Sequence, residues 1–348
     1  MQDPQIDARA QEILKSIILN YILTGEPVGS RTIARITSEG LSPASVRNVM
    51  ADLEEVGLLT QPHASAGRIP TDRGYRFYVD SLPAVGRLPS KDKAAIDETI
   101  QTVGAGIGEA MEAVPRLLSR LSSQAAWFVA PPIAEAVLRH IEFVRVGERR
   151  VVAVFVDRSG VVSHRLLETE QDHTQGDLDR AGRYLETEFA GKSLRDIRAA
   201  LVALMAQEKA AFDQLLNDAV TLGTSYLQAE PEEPRLVLEG TTNLMRHPEF
   251  ADMERMRQLF DTFEEKHRLV TLLDRCLEHT GLRVVIGSEA DDPALARLSL
   301  VLSKYRVDER TTGVFGILGP TRMQYDRAVA LVDYISRLLS GSLTAQGG

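Results

Sequence analysis

The 348-residue sequence holds one cysteine, Cys276, so it can form no disulfide within the chain and no multi-cysteine zinc site. It contains no run of about 18 uncharged apolar residues, which leaves no segment suited to cross a bilayer as a helix. The stretch Met1 to Ala10 is polar and lacks the apolar core of a secretory signal, so a reducing cytoplasm is the expected setting. The seven histidines are scattered and offer no HExxH-like spacing, and no metal or cofactor is expected. A basic surplus is also missing. Lys and Arg number 40 against 49 Asp and Glu, and the net charge of −9 would repel a phosphate backbone. Any nucleic-acid surface must therefore be a local patch.

What is present is an ordinary globular composition, 44% hydrophobic and 26% charged, in a chain long enough for two or three domains. Ile13, Leu14, Ile17, Ile18, Tyr21 and Ile22 recur at helical spacing and predict a first helix with one buried stripe, ending before Gly25. Ser30 reads as the N-cap of a short second helix. In it Ile33, Ala34 and Ile36 face inward, and Arg31 and Arg35, four apart, share the outer face. Gly40 ends that helix.

The third helix has the clearest signals. Ser42 caps it, Pro43 suits the first helical position, and Leu41 with Val46 forms a hydrophobic staple. Val46, Val49, Met50, Leu53 and Val56 make the inward stripe, and Ala44, Arg47, Asn48, Ala51 and Glu55 fall opposite. Small alanines let a helix sit deep in a groove, and arginine and asparagine carry the donor and acceptor geometry that reads guanine and adenine edges. From Arg31 to Arg76 six arginines face five acids, so arrangement decides, and Asp52, Glu54 and Glu55 cluster at the helix end away from the groove.

After Gly57, Leu58 to Gln61 predicts a short strand, Pro62 to Gly67 a turn, and Arg68-Ile69-Pro70 the return strand. Three helices and a hairpin describe a winged helix-turn-helix. Arg47 and Asn48 are the candidate base readers, with Ser45 near the backbone and Ser42 and Ala44 also in the DNA-binding set; Arg31, Arg35, Arg68 and Arg73 are candidate phosphate contacts. Thr71 caps a further helix, where Arg76 can add a backbone contact and Tyr75, Phe77 and Tyr78 pack a domain junction. The same three-helix unit also serves as a protein-protein module, and His63 reads as an exposed turn residue.

Gly25 to Arg31 (GEPVGSR), Leu41 to Glu54 (LSPASVRNVMADLE) and Gln61 to Asp80 (QPHASAGRIPTDRGYRFYVD) resemble the heat-inducible transcription repressor HrcA family, with a weaker echo in Gly316 to Tyr325. Val49 stands where the family often has a glutamate. The resemblance implies a repressor of chaperone genes that binds an inverted-repeat operator in duplex DNA as a homodimer and depends on the chaperonin GroEL. It also implies a GAF-like domain interrupted by an inserted dimerising domain.

The remaining chain suits an α+β multidomain layout of this kind. Residues 1–82 form the winged-helix unit and 83–91 a linker. Residues 92–171 with 276–348 form the GAF-like domain in two segments, and 172–275 form the mainly helical insertion. Ala94 to Ser123 is helical with interruptions at Gly104, Gly106 and Gly108, which lack the strand and spacing of a nucleotide loop. Strands are expected at 140–146, 151–156 and 161–167, and the later strands 282–286, 298–301 and 312–318 are expected to extend the same sheet. Stripes such as Leu194, Ile197, Leu201, Leu204 and Met205, or Met256, Leu259, Phe260 and Phe263, face a core or a dimer partner. Cys276-Leu277-Glu278-His279 is the only compact group suggesting nucleophilic chemistry; no oxyanion element accompanies it, and no enzyme is expected. The alternative to a repressor is a ligand-sensing or protein-interaction scaffold without sequence-specific DNA binding.

Overall fold

The computed structural model describes residues 6–37, 40–64, 66–83, 86–103, 106–131, 136–158, 160, 162–206, 221–225, 235–250, 281–290, 292–293, 295–307 and 312–344. The fold is mixed α+β. Among the described residues no helix is long and apolar enough to cross a membrane.

Helix α1 (Ala8–Thr24) begins where the Asp7 carboxylate accepts from the Ala10 amide at 2.7 Å and ends at Gly25, whose φ of 71° is the left-handed turn that glycine adopts without strain. Ile13, Leu14, Ile17 and Ile18 bury one side of α1 against α2 (Ser30–Ile36) and α3 (Pro43–Glu55). Two expectations for α2 need correction. Ser30 is its first helical residue, with Gly29 in the cap position and no side-chain cap bond. Ile36 is 53% exposed, because the helix stops there and only Ile33 turns fully inward. Strands β1 (Leu59–Thr60) and β2 (Ile69–Pro70) pair antiparallel, and α4 (Asp72–Asp80) follows, capped by the Thr71 hydroxyl accepting from the Gly74 amide at 3.1 Å.

Helices α5 (Ser90–Val103) and α6 (Ile107–Ser122) lead into a five-stranded sheet. Its strands are β3 (Ala125–Val129), β7 (Leu236–Glu239), β8 (Arg283–Ile286), β9 (Leu298–Arg306) and β10 (Thr312–Pro320), in the order β7-β3-β10-β9-β8, every pair antiparallel. Alternate residues serve two cores. Ala126, Phe128, Val301, Phe315 and Ile317 pack with α5, α6 and the C-terminal helix Tyr325–Thr344, while Trp127, Leu300, Leu302 and Leu318 pack with Leu244 and Phe250. Both faces are covered, so these strands read as unbroken apolar runs rather than as an alternation.

The other strands do not join this sheet, contrary to expectation. β4 (Leu138–Gly147), β5 (Arg150–Asp157) and β6 (Val162–Glu168) form a separate antiparallel sheet. One face, with Ile141, Phe143, Ala153 and Phe155, shares a core with α7 (Gln175–Phe189) and with Leu194, Ile197 and Leu201 of α8 (Leu194–Ala206). Strands β4, β5 and β6 thus belong physically with the helices after 171. β7, placed by sequence inside a helical block, is an edge strand of the larger sheet. The stripe Met256 to Phe263 and the side chains of Leu204 and Met205 lie outside the described residues.

The N-terminal helices and the larger sheet share one apolar core. At their junction the Tyr75 and Tyr325 rings lie 5.7 Å apart, both buried, and Tyr325 makes hydrogen bonds with the Ser299 hydroxyl (2.7 Å) and the Thr321 carbonyl (2.6 Å). Burial pushes both phenols well above their ordinary pKa, and Tyr78 up to about 12.

Candidate nucleic-acid interface

The site is built on α3. The Ser42 hydroxyl accepts from the Ser45 amide at 3.1 Å and Pro43 occupies the first turn, so the helix starts at a defined residue. Val46, Met50 and Leu53 are buried at 0 to 3% exposure, which fixes the rotation of the helix about its axis. Ser42, Ala44, Ser45, Arg47, Asn48 and Ala51 are all exposed as a result. The helix dipole and the unsatisfied first-turn amides place partial positive charge at the same end as Ala44, Ser45 and Arg47. The acids Asp52 and Glu55 are exposed at the opposite end.

The hairpin is held to α3 by contacts that no local pattern signals. Arg68 exchanges both backbone hydrogen bonds with Val28 at 2.9 Å, adding the α1–α2 connection to the ladder as a third short strand. Gly67 is obligatory there, since a Cβ would stand 2.4 Å from the Val28 carbonyl oxygen. The Arg68 guanidinium bridges to Glu54 at 2.7 Å and is only 20% exposed, so it ties the hairpin to the last turn of α3 instead of projecting from the turn. Arg73 is exposed, but its Nη1 donates to the Val56 carbonyl at 3.3 Å, at the C-terminal end of α3. By contrast, Arg31, Arg35 and Arg47 are exposed and make no ion pair among the described residues. Arg76 faces the body of the protein, donating to Glu289 and to the Val284 carbonyl, and the Glu289 hydrogen bond raises its pKa above the usual range. His63 is exposed in the turn.

A second surface lies on the three-stranded sheet. The face turned away from α7 carries Val144, Val152 and Leu166 in one cross-strand row, Glu142, Val154 and His164 in the next, and Val156 with Val162 in a third. Val146, Val162 and Leu166 are 53%, 60% and 48% exposed, an apolar area that no described element covers. Among the described residues no group of His, Cys, Asp and Glu could hold a metal ion. Cys276 and His279 lie outside the described residues.

The chain is similar to known proteins over nearly its full length. The family model for the HrcA protein C-terminal domain matches residues 108–329. A relative from Geobacter sulfurreducens, "Heat-inducible transcription repressor HrcA", is 41% identical over 341 residues, covering 98% of this chain and 99% of the relative. Proteins of the same name from Syntrophobacter fumaroxidans and Methylococcus capsulatus are each 39% identical, again over 98% of this chain. Among solved structures, the crystal structure of a hypothetical protein aligns over 98% of this chain with a TM-score of 0.64 at 21% identity, a likeness of fold.

Proposed function

The chain belongs to the HrcA family of heat-inducible transcription repressors, and from that premise we propose that it silences chaperone operons of the groE and dnaK type by binding an inverted-repeat operator in duplex DNA as a homodimer. In this reading α1–α3 with the β1–β2 hairpin are a winged helix-turn-helix, the five-stranded sheet is a GAF-like domain, and the three-stranded sheet with α7 and α8 is the inserted dimerising unit. The protein acts in the cytoplasm, where the operator is. Chaperonin GroEL enters as a partner on the family resemblance alone.

One observation carries the reading: α3 buries Val46, Met50 and Leu53 while leaving Ala44, Ser45, Arg47 and Asn48 exposed on a capped, electropositive end. That end fits a major groove, with Arg47 and Asn48 reading base edges and Ser42, Ala44 and Ser45 near the backbone. Arg31 and Arg35 meet phosphates; Arg68 and Arg73 act one step back, holding the hairpin and α4 to α3.

The open sheet face supports pairing with a second copy. A two-fold axis laid along β5 sets Glu142 of one copy over His164 of the other, and does so twice by symmetry, between rows of valine and leucine. Footprinting on the upstream regions of the host's chaperone operons tests the whole reading. Protection of two symmetric half-sites, weakening steeply as salt rises, is the expected result; uniform protection without half-sites would leave only nonspecific binding and defeat it.

A further inference from the structure

Helix α4 is clamped on both sides. Towards α3, the Thr71 hydroxyl donates to the Gly57 carbonyl at 2.7 Å, and Gly74 lies so close to the residue leading into β1 that a Cβ would stand 2.2 Å from the Leu58 carbonyl oxygen. Towards the larger sheet, Asp72 accepts from the backbone amide and the hydroxyl of Ser288 at 3.0 and 2.9 Å. One turn later Arg76 donates Nε to Glu289 at 2.8 Å and Nη2 to the Val284 carbonyl at 2.6 Å. The other Glu289 oxygen accepts from the Ile286 amide at 2.9 Å, so the acceptor is itself fixed to the end of β8. Gly287, at φ 50°, lets the chain pass Asp72, since any Cβ there would meet its carboxylate at 2.4 Å. The linker alone demands none of this geometry.

Resting on the repressor reading above, we infer that Asp72 and Arg76 are positioning residues for operator binding: through α4 they set the angle at which α3 leaves the body of the protein. Neither side chain is directed at DNA. Their effect arises because two copies must place two α3 helices in successive major grooves about 34 Å apart. The second half-site adds affinity only if the first contact leaves the partner's helix in register. A rigid α4 joint meets that demand, and a loose one spreads the second helix over many wrong positions.

The test compares three DNA duplexes: an isolated half-site, the inverted repeat, and repeats whose spacer is lengthened or shortened by one to five base pairs. For the full-length Asp72→Asn/Glu289→Gln protein, half-site affinity stays within about twofold, inverted-repeat affinity falls about tenfold or more, and the dependence on spacer length flattens. Arg76→Lys, which keeps a charge opposite Glu289 without the fork that also reaches Val284, gives an intermediate loss and serves if the double variant fails to fold. A parallel fall on half-site and repeat, or no change on either, overturns the inference, because a merely structural or irrelevant joint gives those results. An unmodified protein that binds the repeat no better than a half-site removes the dimeric-repressor reading and this inference with it.

Discussion

At the scale of single residues, exposure and partnership separate arginines that the sequence presents alike. Arg47 has no ionic partner among the described residues and stands beside Asn48 on the open side of α3. Arg47→Ala should therefore cost about 1–3 kcal/mol of operator affinity and relax preference at one position per half-site, read by binding to a panel of single-base operator variants. Unchanged preference across that panel would remove Arg47 from base reading. Arg68, bridged to Glu54, should behave otherwise: Arg68→Ala loosens the hairpin and lowers thermal stability, a loss visible without DNA. Its position in a turn suggests a free cation, and nothing local reveals the acid fourteen residues earlier. His247 offers a pH test. Burial holds its pKa below the ordinary value, with Glu249 opposing and Arg322 reinforcing. The unfolded chain then binds the proton more readily than the folded one, so stability falls as pH drops below about 6.5. Denaturant titrations at stepped pH should show a smaller decline for His247→Gln.

At the scale of elements, local chemistry and distant packing divide the work. Ser42, Pro43 and the Val46 stripe specify α3 within a dozen residues, so both its start and its exposed side were readable. Ser42→Ala should cost about 1 kcal/mol of stability, measured by denaturant unfolding, because the Ser45 amide loses its acceptor. Ser30 reads as a cap because the same residue type suits both the cap and the first turn; Gly29 takes the cap position through its extended backbone. β3 and β7 lack a local strand signal for a different reason. Each is short, and β3 is apolar on both faces, so period-two alternation is absent. Gly74 belongs here too: Gly74→Ala forces α4 off β1 and should destabilise the N-terminal unit by about 1–3 kcal/mol, seen as an earlier thermal transition.

Across the whole molecule, Tyr75, Tyr78, Tyr305 and Tyr325 lie buried in the apolar core that the N-terminal helices, the larger sheet and the C-terminal helix share. Tyr75, Tyr78, Tyr305 and Tyr325 all titrate above their ordinary value, chiefly through burial. Their raised folded pKa favours the neutral native form below about pH 10 and loses that advantage as pH climbs through the folded values. The tyrosinate absorbance of these four should accordingly appear in a steep step coincident with unfolding above pH 10, on top of the gradual titration of more exposed phenols such as Tyr184 and Tyr334. The open sheet face is the other molecular feature. Val154→Asp places a charge at its centre and should shift sedimentation toward monomer, whereas Arg47→Ala should leave the assembly unchanged.

The sequence by itself determined the capped helix, its buried stripe and the arginine and asparagine opposite, because all three depend on neighbours within one or two turns. It also determined most strands, whose β-branched runs need no distant partner to be recognised. Only the tertiary structure decided which strands share a sheet, which of the described arginines lack an ion pair, and how α4 joins α3 to the body. Those outcomes depend on residues such as Glu54, Glu289 and Val28, brought close by the folded chain and carrying no mark of it in sequence.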